Sequence, residues 1–578
     1  MKRKTYLKII TLMLIGMMLF ATACSNSAKT NEPQQGSSPG AGDTTSGNSS
    51  STGEEPATEV DTSPLGKYET PVQINVGKWV GPSDKYPEGE SDQDNFWTRA
   101  YRDELGINAN IVWTALMGEH YDQKTKLAIA SDDLPDLMTV NAQQLAQLVE
   151  NDMIADLTDA VEQYASDLTK HLLYADGGMA MKSVTFNDRI MAIPVTGSMV
   201  DSSNVLWIRQ DWLDKLGLEP PKTTEDLKKI AEAFTTRDPD GNGKKDTYGL
   251  AVSRELWSST GTPGLEGFFN SYHAYPTIWL EDESGQLVYG AVQPAIKKGL
   301  ADLQEMYKKG WIDPEFGVKD ASRVSEDLNA SKLGMLFGKM STPFYFLASI
   351  MADPSIEWRS YPIPSVDGTP SKTQQDFPVT SYFVVRKGYE HPEAVVKMLN
   401  LREEVLRGSG DVHERLNQAH AEWVKTTEGF AYQALVYGDL PTKNIDAYAN
   451  VNKAIASGDE SVLTTDEEKN VYLGILDYMD TKNPAQLPYW MVFGPEGSQS
   501  VLYEYYTANR YIASGFYGAA TPAMTSKQST LDKLILQEFT KMIVGNSSID
   551  DFEKFVSDWN NVGGAEVTRE VNEWRASR

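Results

Sequence analysis

Between Val72 and Asn141 the sequence alternates two periodicities, and that alternation limits the folds open to it. VQINVGKWV alternates apolar and polar residues and predicts a strand. NFWTRAYRDELG has helical spacing and ends at Gly106. INANIVWT predicts a second strand, YDQKTKLAIASDDLPD a helix closed by a turn, and LMTVN a third short strand. Strands alternating with helices predict an α/β unit with a mainly parallel sheet. The pattern then restarts, with SNVLWIRQDWLDKLGL reading as strand then helix. TTEDLKKIAEAF puts Leu227, Ile230, Ala231 and Phe234 on one helical face, with Thr223 as its N-cap. LGMLFGK, WRSYPIP and SYFVVRKG predict further strands, and LDKLILQEFTKMIVG and IDDFEKFVSDWNNVGG two amphipathic helices near the end. At 578 residues the chain exceeds what one core serves. Two α/β lobes meeting at a cleft are expected, and ligands favour such clefts.

The formal charge of −28 argues against a nucleic-acid partner, because a phosphate backbone needs a basic footprint. The single cysteine is Cys24, so the folded part can hold no disulfide and no thiolate metal site. Lys2, Arg3, Lys4 and Lys8 precede an apolar run from Ile9 to Phe20, and Ala21-Thr22-Ala23 supplies small residues before the cysteine. Residues 1–23 read as a secretory signal. The segment resembles a bacterial lipobox, with Ala21 where that pattern usually has Leu. The resemblance implies cleavage before Cys24 and its lipidation as the first mature residue. Loss of the four signal cations, with no acid, takes the charge from −28 to −32. Residues 24–66 are Ser, Gly, Thr and Pro with almost no large apolar side chain, and are expected to form a flexible tether.

DPDGNGKKDTYG carries Asp238, Asp240, Asn242 and Asp246 at the first, third, fifth and ninth places, with Gly243 at the sixth. This is the donor spacing of an EF-hand calcium loop, in which the Lys244 main-chain carbonyl would be a fifth oxygen. The twelfth place, where that loop uses a bidentate Glu, is Gly249. A helix is predicted before the loop and a strand after it, so a structural Ca²⁺ locking that turn is expected, remote from any solute. No H-x-x-E-type zinc motif of the form H-E-x-x-H and no P-loop occur. Eighty-one acids leave a glycosidase-type carboxylate pair open.

LAIASDDLPDLMTVNAQQLAQLVENDMIADLTDAV, RIMAIPV, LWIRQDWLDKLGLEPPKTTEDLKKIAEAF, DPDGNGKKDTYGL, YFVVRKGYEHPEAVVKMLN, GFYGAATPAM and IVGNSSIDDFEKFVSDWNNVGG follow one another in that order. In this succession the chain resembles the extracellular solute-binding proteins of bacterial ABC importers, family 1, in the long lipoprotein branch that includes alginate-oligosaccharide binders. The resemblance implies a type II periplasmic-binding-protein-like fold whose lobes are joined by strands crossing near Pro194–Ser203 and Pro378–Arg386. Lobe 1 would comprise 67–198 with about 380–435, and lobe 2 about 199–379 with 436–578. It implies a monomeric receptor, lipid-anchored on the outer face of the cytoplasmic membrane, that hands a carbohydrate to ABC permease subunits and is not an enzyme. Thr247 stands where the family's calcium site often has Glu.

Sugars offer CH faces for rings and hydroxyls for polar side chains. Trp79, Asn141, Trp257, Trp279, Tyr345, Tyr382 and Trp490 sit just after predicted strands and are the candidate cleft residues. Trp207, Trp212 and Trp559 lie in strongly patterned segments and are expected in the core. The alternatives are a peptide or other polar solute, a sensory or adhesion lipoprotein, and, less favoured, a polysaccharide-cleaving enzyme. Cys24→Ala should release the protein into the medium or leave it unprocessed, read by fractionation and intact mass. Membrane retention with normal cleavage would contradict the anchor.

Overall fold

The computed structural model describes residues 61–257, 262–379 and 381–577. The signal segment, Cys24 and the tether up to residue 60 lie outside the described residues. Nine strands build the two main sheets. They are β1 (Val72–Val80), β2 (Ile107–Leu116), β3 (Leu137–Val140), β4 (Ile193–Val195), β5 (Val205–Arg209), β6 (Tyr248–Leu250), β7 (Leu333–Gly338), β8 (Trp358–Tyr361) and β9 (Ser381–Val385). The first sheet has the order β2-β1-β3-β9-β4 and the second β8-β5-β7-β6.

The alternation read in the sequence is the alternation that buries β1: Ile74 and Val76 face the core while Gln73 is exposed and Asn75 half-buried. Helix α1 (Glu119–Ser131) returns the chain from β2 to β3, so β1, β2 and β3 run parallel. Elsewhere in the two main sheets only β6 and β7 pair in parallel. β9 pairs antiparallel with both β3 and β4, and β5 antiparallel with β7 and β8. A parallel neighbour needs a crossover connection. β9 enters from the other lobe, so no crossover helix constrains its direction.

Each sheet has its own core. One gathers buried residues from Val72 to Val195 and from Tyr382 to Val436, with Tyr101, Leu137, Val396 and Leu401 among them. The other main core draws on Leu206–Ile363 and Ala523–Val571, including Phe234, Phe269, Phe539 and Trp559. Helix α2 (Thr224–Thr236) packs there through Leu227, Ile230, Ala231 and Phe234, capped by Thr223, whose hydroxyl accepts from the Asp226 amide. Trp207, Trp212 and Trp559 are buried, as their patterned positions imply.

The folded body starts earlier than residue 67. Lys397, on helix α3 (Ala394–Arg407), is buried and donates to the main-chain oxygens of Gly66 at 2.8 Å and Ser63 at 3.2 Å. Asn400 donates to the Pro64 carbonyl at 2.9 Å. Small polar residues that bury little surface of their own are held by donors presented from α3.

Candidate functional site

Three stretches of chain pass between the sheets side by side, at 196–204, 376–379 and 436–442. The Asp439 amide donates to the Thr196 carbonyl at 2.9 Å, and the Ser198 hydroxyl to the Pro441 carbonyl at 3.2 Å. The second stretch is tied to the first by Gln375 donating to the Ser203 hydroxyl and by the Asp376 amide donating to that of Ser202, both at 3.2 Å. The third is fixed to α3. Buried Arg402 donates to the Gly438 carbonyl at 2.6 Å and to the Asp439 carboxylate at 3.3 Å, and Glu403 balances its charge.

Beside these crossings stands Trp79, at the C-terminal end of β1. Its half-buried indole meets Phe430 edge-on at 5.5 Å between centroids, with Tyr437 lining the same void. Burial pushes the Tyr437 phenol up to about 12. Phe430 is 40% exposed, and its loop is clamped by Asp84, which accepts from the Phe430 and Gly81 amides, each at 2.6 Å. Gly429 beside it has φ +69, and a Cβ there would lie 2.4 Å from the Asp84 carboxylate, so the clamp closes only on glycine. A void of about 20 Å³ beneath the rings is lined by Trp79, Thr139, Phe383, Gln433 and Tyr437. It is water-sized, so a larger ligand would have to meet the rings' outer faces.

Phe377 in the second crossing lies 5.9 Å from Tyr517, which in turn meets Trp574 edge-on at 4.8 Å. Nearby, the side-chain oxygens of Asn204 and Gln375 are buried with no hydrogen-bond partner among the described residues. Buried acceptors are normally satisfied.

The seven candidates are not gathered into one site. Trp79 reaches the crossings. Asn141 instead caps the helix Ala142–Glu150, accepting from the Gln144 amide and donating to Asp122. Trp279 is 7% exposed between Tyr289 and Phe516, and Trp257 packs on Phe269 and Phe539. Tyr382 is buried in β9 opposite Val140 and Pro194. Tyr345 and Trp490 both border one minor core of the second lobe, Trp490 tilted against Tyr478 at 5.6 Å under the Lys482 ammonium. Sequence position after a strand selects half-buried rings without saying which are covered by later segments. Phe430, Tyr437, Phe377 and Tyr517 were missed because they lie in irregular stretches. Only their place beside chain crossings marks them.

The loop after α2 folds around its own oxygens. Gly241 and Gly243 take φ +74, and Asp238 φ +48. Asp238 accepts from the Gly243 amide at 3.1 Å, and Asn242 donates to Asp240 and to Asp246. Lys215 caps the loop through the Pro239 carbonyl at 2.7 Å. Burial, then the neighbouring Asp238 and Asp246 carboxylates, push the Asp240 carboxyl up. One Asp238 oxygen is buried without a hydrogen-bond partner among the described residues. No three His, Cys, Asp or Glu side chains among those residues converge as a ready-made metal cluster. The loop's carboxylates are spaced by Asn242 and by main-chain amides.

The twelfth place is explained by packing. Gly249 lies in β6 beneath α2, where a Cβ would sit 2.4 Å from the Ala231 Cα. No Glu could stand there without displacing the helix.

Two sheets with separate cores, joined by crossings that carry rings and unsatisfied acceptors, define a two-lobed binding protein. Residues 86–401, more than half of the chain, match the family of bacterial extracellular solute-binding proteins, and the chain belongs to it. That family binds solutes rather than converting them. Lipoprotein LipO of Bacillus subtilis (strain 168) is 22% identical over 85% of this chain and 89% of its own. The polygalacturonan/rhamnogalacturonan-binding protein YtcQ of the same strain is 26% identical over 38% of this chain and 42% of its own. The solved S. pneumoniae ABC-transporter substrate-binding protein FusA in complex with kestose superposes with TM-score 0.53 at 17% identity, covering 88% of this chain and all of that one. A solute-binding protein from Bifidobacterium longum infantis gives TM-score 0.57 at 15% identity over 88% of this chain and 99% of its own.

The packing separates two kinds of ring. Trp279→Ala should cost about 3–5 kcal/mol of stability, whereas Trp79→Ala, a half-buried ring with one edge contact, should lower the melting temperature far less. Equal losses in thermal melts would contradict this assignment.

Proposed function

We propose that the chain is a lipid-anchored receptor that captures a carbohydrate, an oligosaccharide, between its lobes and delivers it to an ABC permease. The observation that carries this reading is the pairing of rings with polar groups at the crossings. Trp79 and Phe430 pair beside the third crossing, Phe377 in the second pairs with Tyr517, and the Asn204 and Gln375 side-chain oxygens are buried and unsatisfied. Ring faces suit the CH faces of sugars, and carbonyl acceptors suit their hydroxyls. The carbohydrate ligands named for YtcQ and FusA support the same class. Cys24 carries the anchor, the acidic body stands off anionic lipid, and the protein works as a monomer outside the cytoplasmic membrane.

Titration calorimetry with kestose, oligogalacturonides and alginate oligosaccharides, against tri- to pentapeptides, tests the ligand class. Binding of at least one glycan, weakened tenfold or more by Trp79→Ala, is expected. Binding of peptides with no response to any glycan would overturn it.

The loop at 238–249 holds a structural Ca²⁺ through Asp238, Asp240, Asn242, the Lys244 carbonyl and Asp246. The partnerless Asp238 oxygen and the crowded Asp240 carboxyl support a cation there. At tenfold excess over its dissociation constant, an ion stabilises by about 1.4 kcal/mol. Chelator should therefore lower the melting temperature by a few degrees at most and leave glycan affinity nearly unchanged. Asp240→Ala should reproduce that loss and abolish the response. A melting curve indifferent to chelator and to millimolar calcium would return the loop to an ordinary Asp/Gly turn.

A further inference from the structure

On the first lobe, away from the crossings, the sheet flank carries a groove of about 570 Å³. It opens between β2 and the C-terminal half of α1. It reaches Asn75 at the middle of β1 and Asp136 just before β3, whereas Trp79 and Thr139 stand toward the other ends of those strands. Its volume lies within the range of small-molecule sites, about 300–1,000 Å³.

Its floor is a fixed ring. Trp113 lies against β1 at Gly77, where a Cβ would come within 2.3 Å of the indole, with Tyr121 tilted beside it at 5.4 Å and the Lys124 ammonium 5.8 Å from its centroid. Its wall is a locked ion pair. The Asp136 carboxylate, 6% exposed, takes the Asn75 amide and side chain, each at 2.9 Å, and the Arg386 guanidinium at 2.8 Å. The Arg386 side chain itself remains 40% exposed at the groove. The shoulder is apolar and open, with Leu127 64% and Val112 47% exposed.

We infer that this groove is a second saccharide-binding site, taking a neutral mono- or disaccharide unit. A ring platform, an apolar shoulder and preorganised donors and acceptors match the CH face and hydroxyls of a sugar. Charge selects against an acidic sugar. Arg386 and Asp136 cancel, and Lys124 leaves one of Asp132 and Asp133 unbalanced in the lining, a formal −1 that disfavours an anion. The site is separate from the crossings and does not require solute binding there.

The test uses the mature chain labelled with 5-fluorotryptophan, with Trp113→Phe and Trp79→Ala assigning two lines among the 13 Trp. Kestose, maltotriose, xylotriose and mannotriose are titrated to the millimolar range. The Trp113 line should shift saturably with at least one glycan, keep its midpoint in Trp79→Ala, and lose affinity at least tenfold in Leu127→Asp. Absence of a shift with every glycan overturns the site, as would be seen if a permease loop seats there instead. A shift that vanishes in Trp79→Ala also overturns it, because Trp113 would then only be sensing events at the crossings, and so does a shift untouched by Leu127→Asp. A moving Trp113 line beside a silent Trp79 line would instead count against the reading of the crossings and leave this groove standing.

Discussion

The buried guanidinium of Arg402 is the interaction on which the two-lobed arrangement rests. It sits on α3 of the first lobe and reaches the Gly438 carbonyl and the Asp439 carboxylate of the third crossing. Asp439 in turn donates its amide to Thr196 in the first crossing. Arg407 shares the Glu403 carboxylate, so two cations and two acids balance, with Arg402 and Glu403 buried and Asp439 at the exposed rim. Removing one partner from such a network strands a buried charge, which typically costs 3–5 kcal/mol. The third crossing is therefore bound firmly to the first lobe. The first and second crossings are joined by single hydrogen bonds among Ser202, Ser203, Gln375 and Asp376, which break at about 1 kcal/mol each.

The loop at 238–249 shows a local motif yielding to tertiary packing. Its first nine places follow EF-hand spacing, but the chain then becomes β6 instead of a second helix. β6 pairs with β7, and α2 presses directly on Gly249. The place of the bidentate Glu is consumed by a helix-on-sheet contact. An ion there would tie the end of α2 to the start of β6 without any lever on the crossings.

Much of the fold was legible because its signals are local. The cap at Thr223 and the apolar face of α2 lie within one helix, and the Ile74–Val76 pattern within one strand. The direction of β9 was not legible, because it depends on the chain coming back from the other lobe rather than on any residue in SYFVV. The site was legible only at Trp79. Trp279 also adjoins a strand, and the two differ only in what covers them. Tyr289 and the distant Phe516 close over Trp279, whereas Trp79 meets the edge of a single exposed ring. Asn141 caps a helix, a role that looks the same in sequence as ligand binding, and the Gln144 and Asp122 contacts reveal the cap.

The central claim is that solute lies between the lobes, against the rings that flank the crossings. A crystal structure of the mature chain grown with a glycan that binds in solution tests it most directly. The account predicts sugar density in contact with Trp79 or Phe430 on one side and Phe377 or Tyr517 on the other, with hydroxyls directed toward Asn204 and Gln375. Density confined to any other surface, with these rings untouched, would contradict it.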